Sequence, residues 1–323
     1  MTAIDRRTMM LGAALSTLGT RAWSETFPAR SIKVIVPFGA GGSGDMAMRA
    51  LSPVMERQLG QHIVVEARPG SAGIIGVQDV IRANPDGYTL LLGTTNNFVI
   101  NQFMFPKQPV DPLSSLTLIT KLVSGPLVVY VNPGVPARTF GEFISYAKAH
   151  PGKLNFASPG VGTAPHLAVE RLKQLAGIDL VHVPFHGAPE AMQALLENQV
   201  QLYLAGWVVG RSYVESGAIR ALAVAAGQRL PDIPLPTSAE GGLPQYIASN
   251  WWGLAAPKGT PSAVINQIYL AAKAALADPK ARSLLEKAGY LIVGDTPDAF
   301  ARDAQSEAQT WSKTIERGNL AVR

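Results

Sequence analysis

From Ile32 onward, short runs of β-branched and apolar residues alternate with longer stretches in which apolar residues return every three or four positions. The first pattern fits buried strands. Strands are predicted at Ile32 to Pro37, His62 to Glu66, Thr89 to Gly93, Leu127 to Val131, Leu154 to Ala157, Leu180 to Pro184, Gln201 to Ala205 and Ile219 to Ala225. The second pattern predicts helices at Asp45 to Leu59, Phe140 to His150, Ala164 to Ala176, Pro189 to Asn198, Pro261 to Ala277, Pro279 to Ala288 and Pro297 to Arg317. Strand, helix, strand in succession is the order of parallel sheets covered by helices, an α/β class. Pro53 falls inside the first helix, where it forfeits a backbone hydrogen bond, and Ser52 is placed to cap a new helix, so a kink or break is predicted there. The proline-rich passage Leu230 to Pro244 reads as a surface loop.

Two stretches read as crossings between lobes, Gly125 to Asn132 and Asn250 to Pro257. They divide the chain into one lobe of residues 25–126 with 252–323 and a second of residues 127–251, each a mostly parallel sheet flanked by helices and joined by a two-strand hinge. A hinge of this kind leaves a cleft between the lobes, where small ligands preferentially bind.

The first 24 residues depart from this pattern. Arg6 and Arg7 precede an apolar run from Met9 to Leu18, and Ala22-Trp23-Ser24 follows, the three regions of a cleavable export signal too short to serve as a membrane span. Residues 1–24 are therefore assigned to a signal peptide cleaved near Ser24, and the arginine pair is compatible with either general secretory or twin-arginine export. The expected location is the periplasm. With 47 % hydrophobic and 16 % charged residues among 323, the chain has material for a large core. The formal net charge of +5 falls when the segment leaves with Arg6, Arg7, Arg21 and Asp5, so the mature chain is mildly basic, a field that suits small anions. Its Lys and Arg are scattered without interleaved aromatics, which argues against nucleic acid. The absence of cysteine excludes disulfides, thiolate catalysis and a lipid-modified N-terminal cysteine.

Candidate chemistry lies in the turns. Val34 to Pro37 leads into Phe38-Gly39-Ala40-Gly41-Gly42-Ser43-Gly44-Asp45, a glycine-rich turn from which a helix starts at once, so unpaired N–H groups and the positive end of the helix dipole face the turn. A carboxylate or phosphate suits such a place. Gly39 to Gly44 also spells the dinucleotide fingerprint GxGxxG, with Glu66 about 20 residues on where a ribose-binding acid belongs. An exported dinucleotide-dependent oxidoreductase is therefore the competing reading. Against it, Pro37 and Phe38 separate strand from glycine, Asp45 would lie beside the pyrophosphate, and Glu66 leads into the turn Ala67 to Gly70. A second turn, Ser158-Pro159-Gly160-Val161-Gly162, precedes Thr163 as the N-cap of the helix carrying His166, and a third, Val183 to Pro189, holds Phe185 and His186. Each alone could be an ordinary connection. His182 and His186 flank Pro184 on an extended run, so helical metal-ligand spacing is missing and no metal or cofactor is expected. No Gly-x-Ser-x-Gly elbow occurs, so hydrolysis by a serine on such an elbow has no support.

Taken together, Pro28-Ala29-Arg30, Val36 to Gly42 with Asp45, Val65 to Gly73, Asn84 to Leu90, Ser158 to His166, His182 to Gly187 and Trp252 to Pro261 resemble the substrate-binding proteins of the tripartite tricarboxylate transporter family, the exported Bug group. The resemblance runs from Phe27 to the C-terminus. It implies a two-lobed periplasmic-binding fold, type II-like, that closes on a small carboxylate without catalysis, as a monomer serving a tripartite tricarboxylate permease or a sensor kinase. Carried onto this chain, Phe38, Ala40, Gly41, Gly42 and Asp45 line one wall with Thr94 and Thr95 nearby. Ser158, Gly160, Gly162, Thr163, His166 and Phe185 line the other. Asp45 and Thr163 are equally well explained as helix caps. Where the family often carries Asp, this chain has Gln201-Leu202-Tyr203-Leu204-Ala205, leaving an α-ammonium no acceptor. That points to an organic acid without an amino group, aromatic or dicarboxylic, with Phe38, Phe185 and Trp207 as the aromatic lining.

Overall fold

A computed structural model describes residues 27–107 and 111–322 of the chain, and the predicted export segment lies outside them. The β-branched run Ile32–Val36 is buried at four of five positions and forms β1. After it come α1 (Ser43–Leu59), β2 (Ile63–Ala67), α2 (Ile74–Ile81) and β3 (Thr89–Thr94), and then a π-helical turn over Asn96–Ile100 that runs into α3 (Asn101–Met104) and α4 (Pro112–Ser115). β4 (Leu116–Val131) leads into the second lobe, built from α5 (Phe140–Ala149), β5 (Asn155–Ser158), α6 (Ala164–Ala176), β6 (Val181–Pro184), α7 (Ala188–Leu196), β7 (Leu202–Gly206), α8 (Trp207–Glu215) and β8 (Arg220–Val224). β9 (Ser249–Pro257) returns to the first, which ends with α9 (Ser262–Ala277), α10 (Pro279–Lys287), β10 (Leu291–Ile292) and α11 (Pro297–Gly318).

The strands lie in the order β2-β1-β3-β9-β4-β7-β5-β6, with β8 and β10 also on β4. β1 is parallel to β2 and β3, and β5 is parallel to β6 and β7, as the alternating pattern predicts. The two crossing strands are antiparallel to their neighbours, so the sheet is mixed, within the two-lobed architecture expected. Apolar layers cover both faces of each half. Met48, Leu51 and Ile268 lie on one side of the first half, and Phe98, Trp251 and Trp311 on the other. Phe143, Phe156 and Tyr246 cover one side of the second half, with Tyr130, Tyr203 and Trp207 opposite.

Three expectations are corrected. α1 runs unbroken through Pro53, and Ser52 donates its hydroxyl to the Met48 carbonyl (2.8 Å) instead of capping a new helix. A helix-interior proline costs about 3 kcal/mol, whereas burying Met48, Leu51, Val54 and Met55 contributes about 1.5–3 kcal/mol each, so the packed face wins. The passage 230–244 is packed down: Ile233, Thr237, Ser238 and Leu243 are buried, and Ser238 donates to the Tyr246 carbonyl at 2.6 Å. β4 starts at Leu116, not at Leu127 as predicted, because Gly125 and Pro126 stay extended by pairing with Asn250 and Ser249 of β9.

Candidate functional site

The register of the crossing strands sets where the turns meet. The end of β3, Thr94, pairs with Trp252 early in β9, while the end of β7, Gly206, pairs with Leu127 just past the middle of β4. The C-terminal ends of both parallel sets therefore point toward the crossing, and the turns that follow them face each other across it. Ligands of open α/β sheets bind at this edge.

On the first wall, Phe38 packs edge-on against Trp252 with ring centroids 5.8 Å apart. Ala40, Gly41 and Gly42 are exposed, and Gly41 has φ +76°, a left-handed conformation that glycine adopts without strain. α1 begins after Gly42 with no side-chain cap, so its first N–H groups are available to an anion. Asp45 is buried, accepting from Arg49 Nε (2.9 Å) and the Gly41 N–H (3.0 Å). The Arg49 hydrogen bond, helped by that of Gly41, holds its carboxyl below the usual range against the opposing effect of burial. Asp45 thus braces the turn from inside. Tyr290 adds a second brace, its hydroxyl donating to the Ser43 carbonyl at 3.2 Å.

Gly44 lets the turn sit on the crossing strand. A Cβ there would lie 2.5 Å from Trp252 Cη2 and 2.7 Å from Cε3, inside the buried ring. Gly44→Ala is expected to cost about 2–3 kcal/mol in urea denaturation and to weaken solute binding, because ring or helix must move. A loss below 0.5 kcal/mol would show that the contact yields freely.

The second wall is tied together by side chains. Ser158 is fully buried; its Oγ lies 2.7 Å from His182 Nε2 and accepts from the Gly160 N–H at 3.2 Å. His166 Nδ1 accepts from the Gly162 N–H (3.1 Å). Thr163 occupies the N-cap position of α6, yet its hydroxyl donates backward to the Gly160 carbonyl (2.7 Å) and makes no capping bond, which corrects the capping role expected of it. The rings of His166 and His182 stack at 4.0 Å, and Phe156 lies on His182 at 4.8 Å. Burial pushes both imidazoles down, to about 3 for His166 and about 4 for His182, with Lys173 adding to the effect. Both are neutral at pH 7. Phe185 is half-buried beside this turn, its N–H donating to the Ser158 carbonyl at 3.0 Å.

Between the walls, Thr94 donates its hydroxyl to Asn250 Oδ1, and Thr95 Oγ1 accepts from the Trp251 N–H at 3.4 Å. Thr94, Thr95 and Asn96 are buried. Ala205 is buried opposite Val128, and Trp207 follows it at the start of α8, 5 % exposed, with an indole N–H that has no partner among the described residues. Gln201 stands away from this edge: it precedes β7, where its side chain accepts from the Asn155 N–H (2.9 Å) and donates to the Asn198 carbonyl (3.1 Å). The ammonium argument therefore rests on Ala205 without Gln201. Sequence reasoning missed Asn96, Asn250 and the His182–Ser158 bond. An Asn pair separated from a predicted strand by two residues was the available signal for the first. The other two join positions far apart in the chain.

Glu66, the ribose ligand of the dinucleotide reading, is held in ion pairs with Lys33 (2.9 Å) and Arg68 (2.7 Å), and Lys33 foremost keeps its carboxyl below the usual range. Among the described residues no helix is long and apolar enough to cross a membrane.

Known proteins give this geometry a context. The protein BugT of Bordetella pertussis is 31% identical over 99% of this chain and 99% of its own. MatC from Rhodopseudomonas palustris, solved with bound malate, is 32% identical and superposes with a TM-score of 0.82 over 90% of this chain and 100% of its own. An R. palustris protein solved with adipate is 28% identical, with a TM-score of 0.85 over 91% of this chain and 99% of its own. These likenesses give no support to a dinucleotide-dependent oxidoreductase. Residues 47–320 match the tripartite tricarboxylate transporter family receptor, a solute-binding family, and the chain belongs to it.

Proposed function

We propose that this receptor captures a small organic acid in the periplasm, after cleavage near Ser24, and delivers it without chemical change to a tripartite tricarboxylate permease or reports it to a sensor kinase. The observation that carries the reading is the uncapped start of α1 behind the exposed turn of Ala40, Gly41 and Gly42, facing the second turn across the crossing strands. Its N–H groups and dipole favour an anion at that point, at about 0.3–1 kcal/mol for the dipole alone. Adipate and malate in two solved relatives agree with a carboxylate. The proposed lining is Phe38, Ala40, Gly41, Gly42, Thr94 and Thr95 on one side, and Ser158, Gly160, Gly162, Thr163, Phe185 and Ala205 on the other, with Asp45 and His166 bracing the two turns. Residues 127–251 close against 25–126 and 252–323 as a monomer. An α-ammonium would find the Asp45 carboxylate already engaged by Arg49 and Gly41, so acids without an amino group are preferred.

Thermal-shift screening of the purified mature chain against organic acids tests this. Binding to the folded state alone raises the melting temperature with ligand concentration, by about 2.7 kcal/mol of added stability at 100 times Kd. No shift with any carboxylate, or stoichiometric nucleotide in the purified protein, contradicts the proposal.

A further inference from the structure

Asn96 comes from the first lobe, yet both polar ends of its side chain engage the second. Its Oδ1 accepts from the Ala164 N–H at 3.0 Å and its Nδ2 donates to the Gly162 carbonyl at 2.5 Å. The carboxamide thereby caps the first turn of α6, a place where the cap residue of that helix, Thr163, makes no capping bond. Asn96 is 3 % exposed, and its backbone is fixed from below: Thr95 accepts from the Trp251 N–H, Thr94 bonds Asn250, and the Thr94 N–H donates to Asn97 Oδ1 at 3.0 Å. A side chain held on the crossing strands thus grips the turn that forms the second wall.

The surroundings of the contact agree with this role. Gly162 packs against Met104 and Phe105 of the first lobe, and Ala164 and Leu167 of α6 belong to the same apolar layer as Phe98 and Trp311. Farther along α6, Gln174 donates to the Thr314 carbonyl of α11 at 3.3 Å. Of these contacts, only the one at Asn96 bonds the turn itself, and the turn is otherwise braced within its own lobe by His166 and His182.

We propose that Asn96 is the positioning residue that fixes the separation of the two walls and, through it, the length of carboxylate the cleft accepts. The part concerning length rests on the solute reading above, while the part concerning wall separation stands without it. Losing two buried hydrogen bonds shifts a closed-to-open equilibrium by roughly 10-fold or more.

Two measurements on the mature chain and its Asn96→Ala variant decide the matter. In small-angle scattering without solute, the variant is expected to show a radius of gyration larger by about 1 Å, as lobe opening in a chain of this size produces. An unchanged radius overturns the proposal. In calorimetry with straight-chain dicarboxylates from malonate to pimelate, the wild-type chain is expected to show an optimum length. Asn96→Ala should bind that optimum about 10-fold more weakly and discriminate less between its neighbours. A uniform loss with the same length profile means a merely structural role and overturns it. Asn96→Asp keeps an acceptor for the Ala164 N–H and loses the donor to Gly162, so it is expected to fall between the two and carries the measurement where the alanine variant folds poorly. If the wild-type chain binds no member of the series, the part concerning length fails while scattering still decides whether Asn96 holds the walls.

Discussion

Trp251→Ala is expected to remove about 4 kcal/mol of stability, a large share of what a domain possesses. Trp251 is 2 % exposed and sits on β9 where the chain crosses between lobes. Its ring stacks on Phe98 at 5.6 Å and meets Phe300 edge-on at 5.3 Å, and Lys121 Nζ lies 4.9 Å from its centroid. Truncation opens a cavity that these neighbours cannot refill. It also removes the indole donor to Glu307 Oε2 (2.6 Å), leaving that carboxylate with the N–H of Trp311 (3.1 Å). Burial already pushes the Glu307 carboxyl up, so a lost donor is felt in full. Urea denaturation of both chains checks this, and a loss below 2 kcal/mol with an unchanged slope would show that the layer around Trp251 collapses without cost. Trp251→Phe keeps most of the ring and is expected to lose about 1–2 kcal/mol, mainly the hydrogen bond.

Acid should destabilise the second wall before the rest of the molecule. His166 and His182 have folded-state values of about 3 and about 4, below the ordinary 6.5, so between these limits the unfolded chain binds more protons than the folded one. Stability from this pair is therefore complete above pH 6.5 and is lost as pH falls toward 4 and then 3. At about 1.4 kcal/mol per unit and group, and allowing for the partial exposure of His182, roughly 2 kcal/mol should disappear between pH 6.5 and 5. Asp295 and Glu307 work in the opposite sense: burial raises both, so their contribution grows on acidification and is lost as pH rises through their folded-state values. His182→Gln isolates the histidine share, and its stability should vary less steeply with pH over this interval than that of the wild-type chain. Equal slopes would contradict the assignment. Solute affinity of the folded chain should hold through this interval and fall only as pH approaches about 3, where a protonated His166 Nδ1 can no longer accept the Gly162 N–H.

Local signals carried much of this fold. α6 begins and ends where its 3.6-residue pattern does, at Ala164 and Ala176, and the strand at Ile32 needs only its own burial pattern. β4 was half hidden because Gly125-Pro126 has the composition of a turn, and only pairing with Asn250 and Ser249 keeps it extended. α2 and α8 were missed for a related reason. The first starts among the glycines at 70, 73 and 76, and the second starts without a capping side chain directly from β7. At the candidate site, glycine turns at strand ends were legible because they depend on local conformation. Their bracing was not, since the bonds from His182 to Ser158 and from Asn96 to Gly162 span 24 and 66 positions and exist only once the sheet order is set. Gln201 shows the converse error. It was expected as the first residue of a strand lining the cleft, but it precedes β7, at the end opposite Gly206.

Isothermal calorimetry on the purified mature chain tests the central claim most directly, with adipate, malate and benzoate titrated beside glutamate and aspartate. A receptor whose solute anion sits on the uncapped start of α1 predicts saturable binding of one acid per chain, with no product formed and with an acid lacking an amino group as the tightest ligand. Tighter binding of glutamate or aspartate, or no heat with any acid in the set, would contradict it.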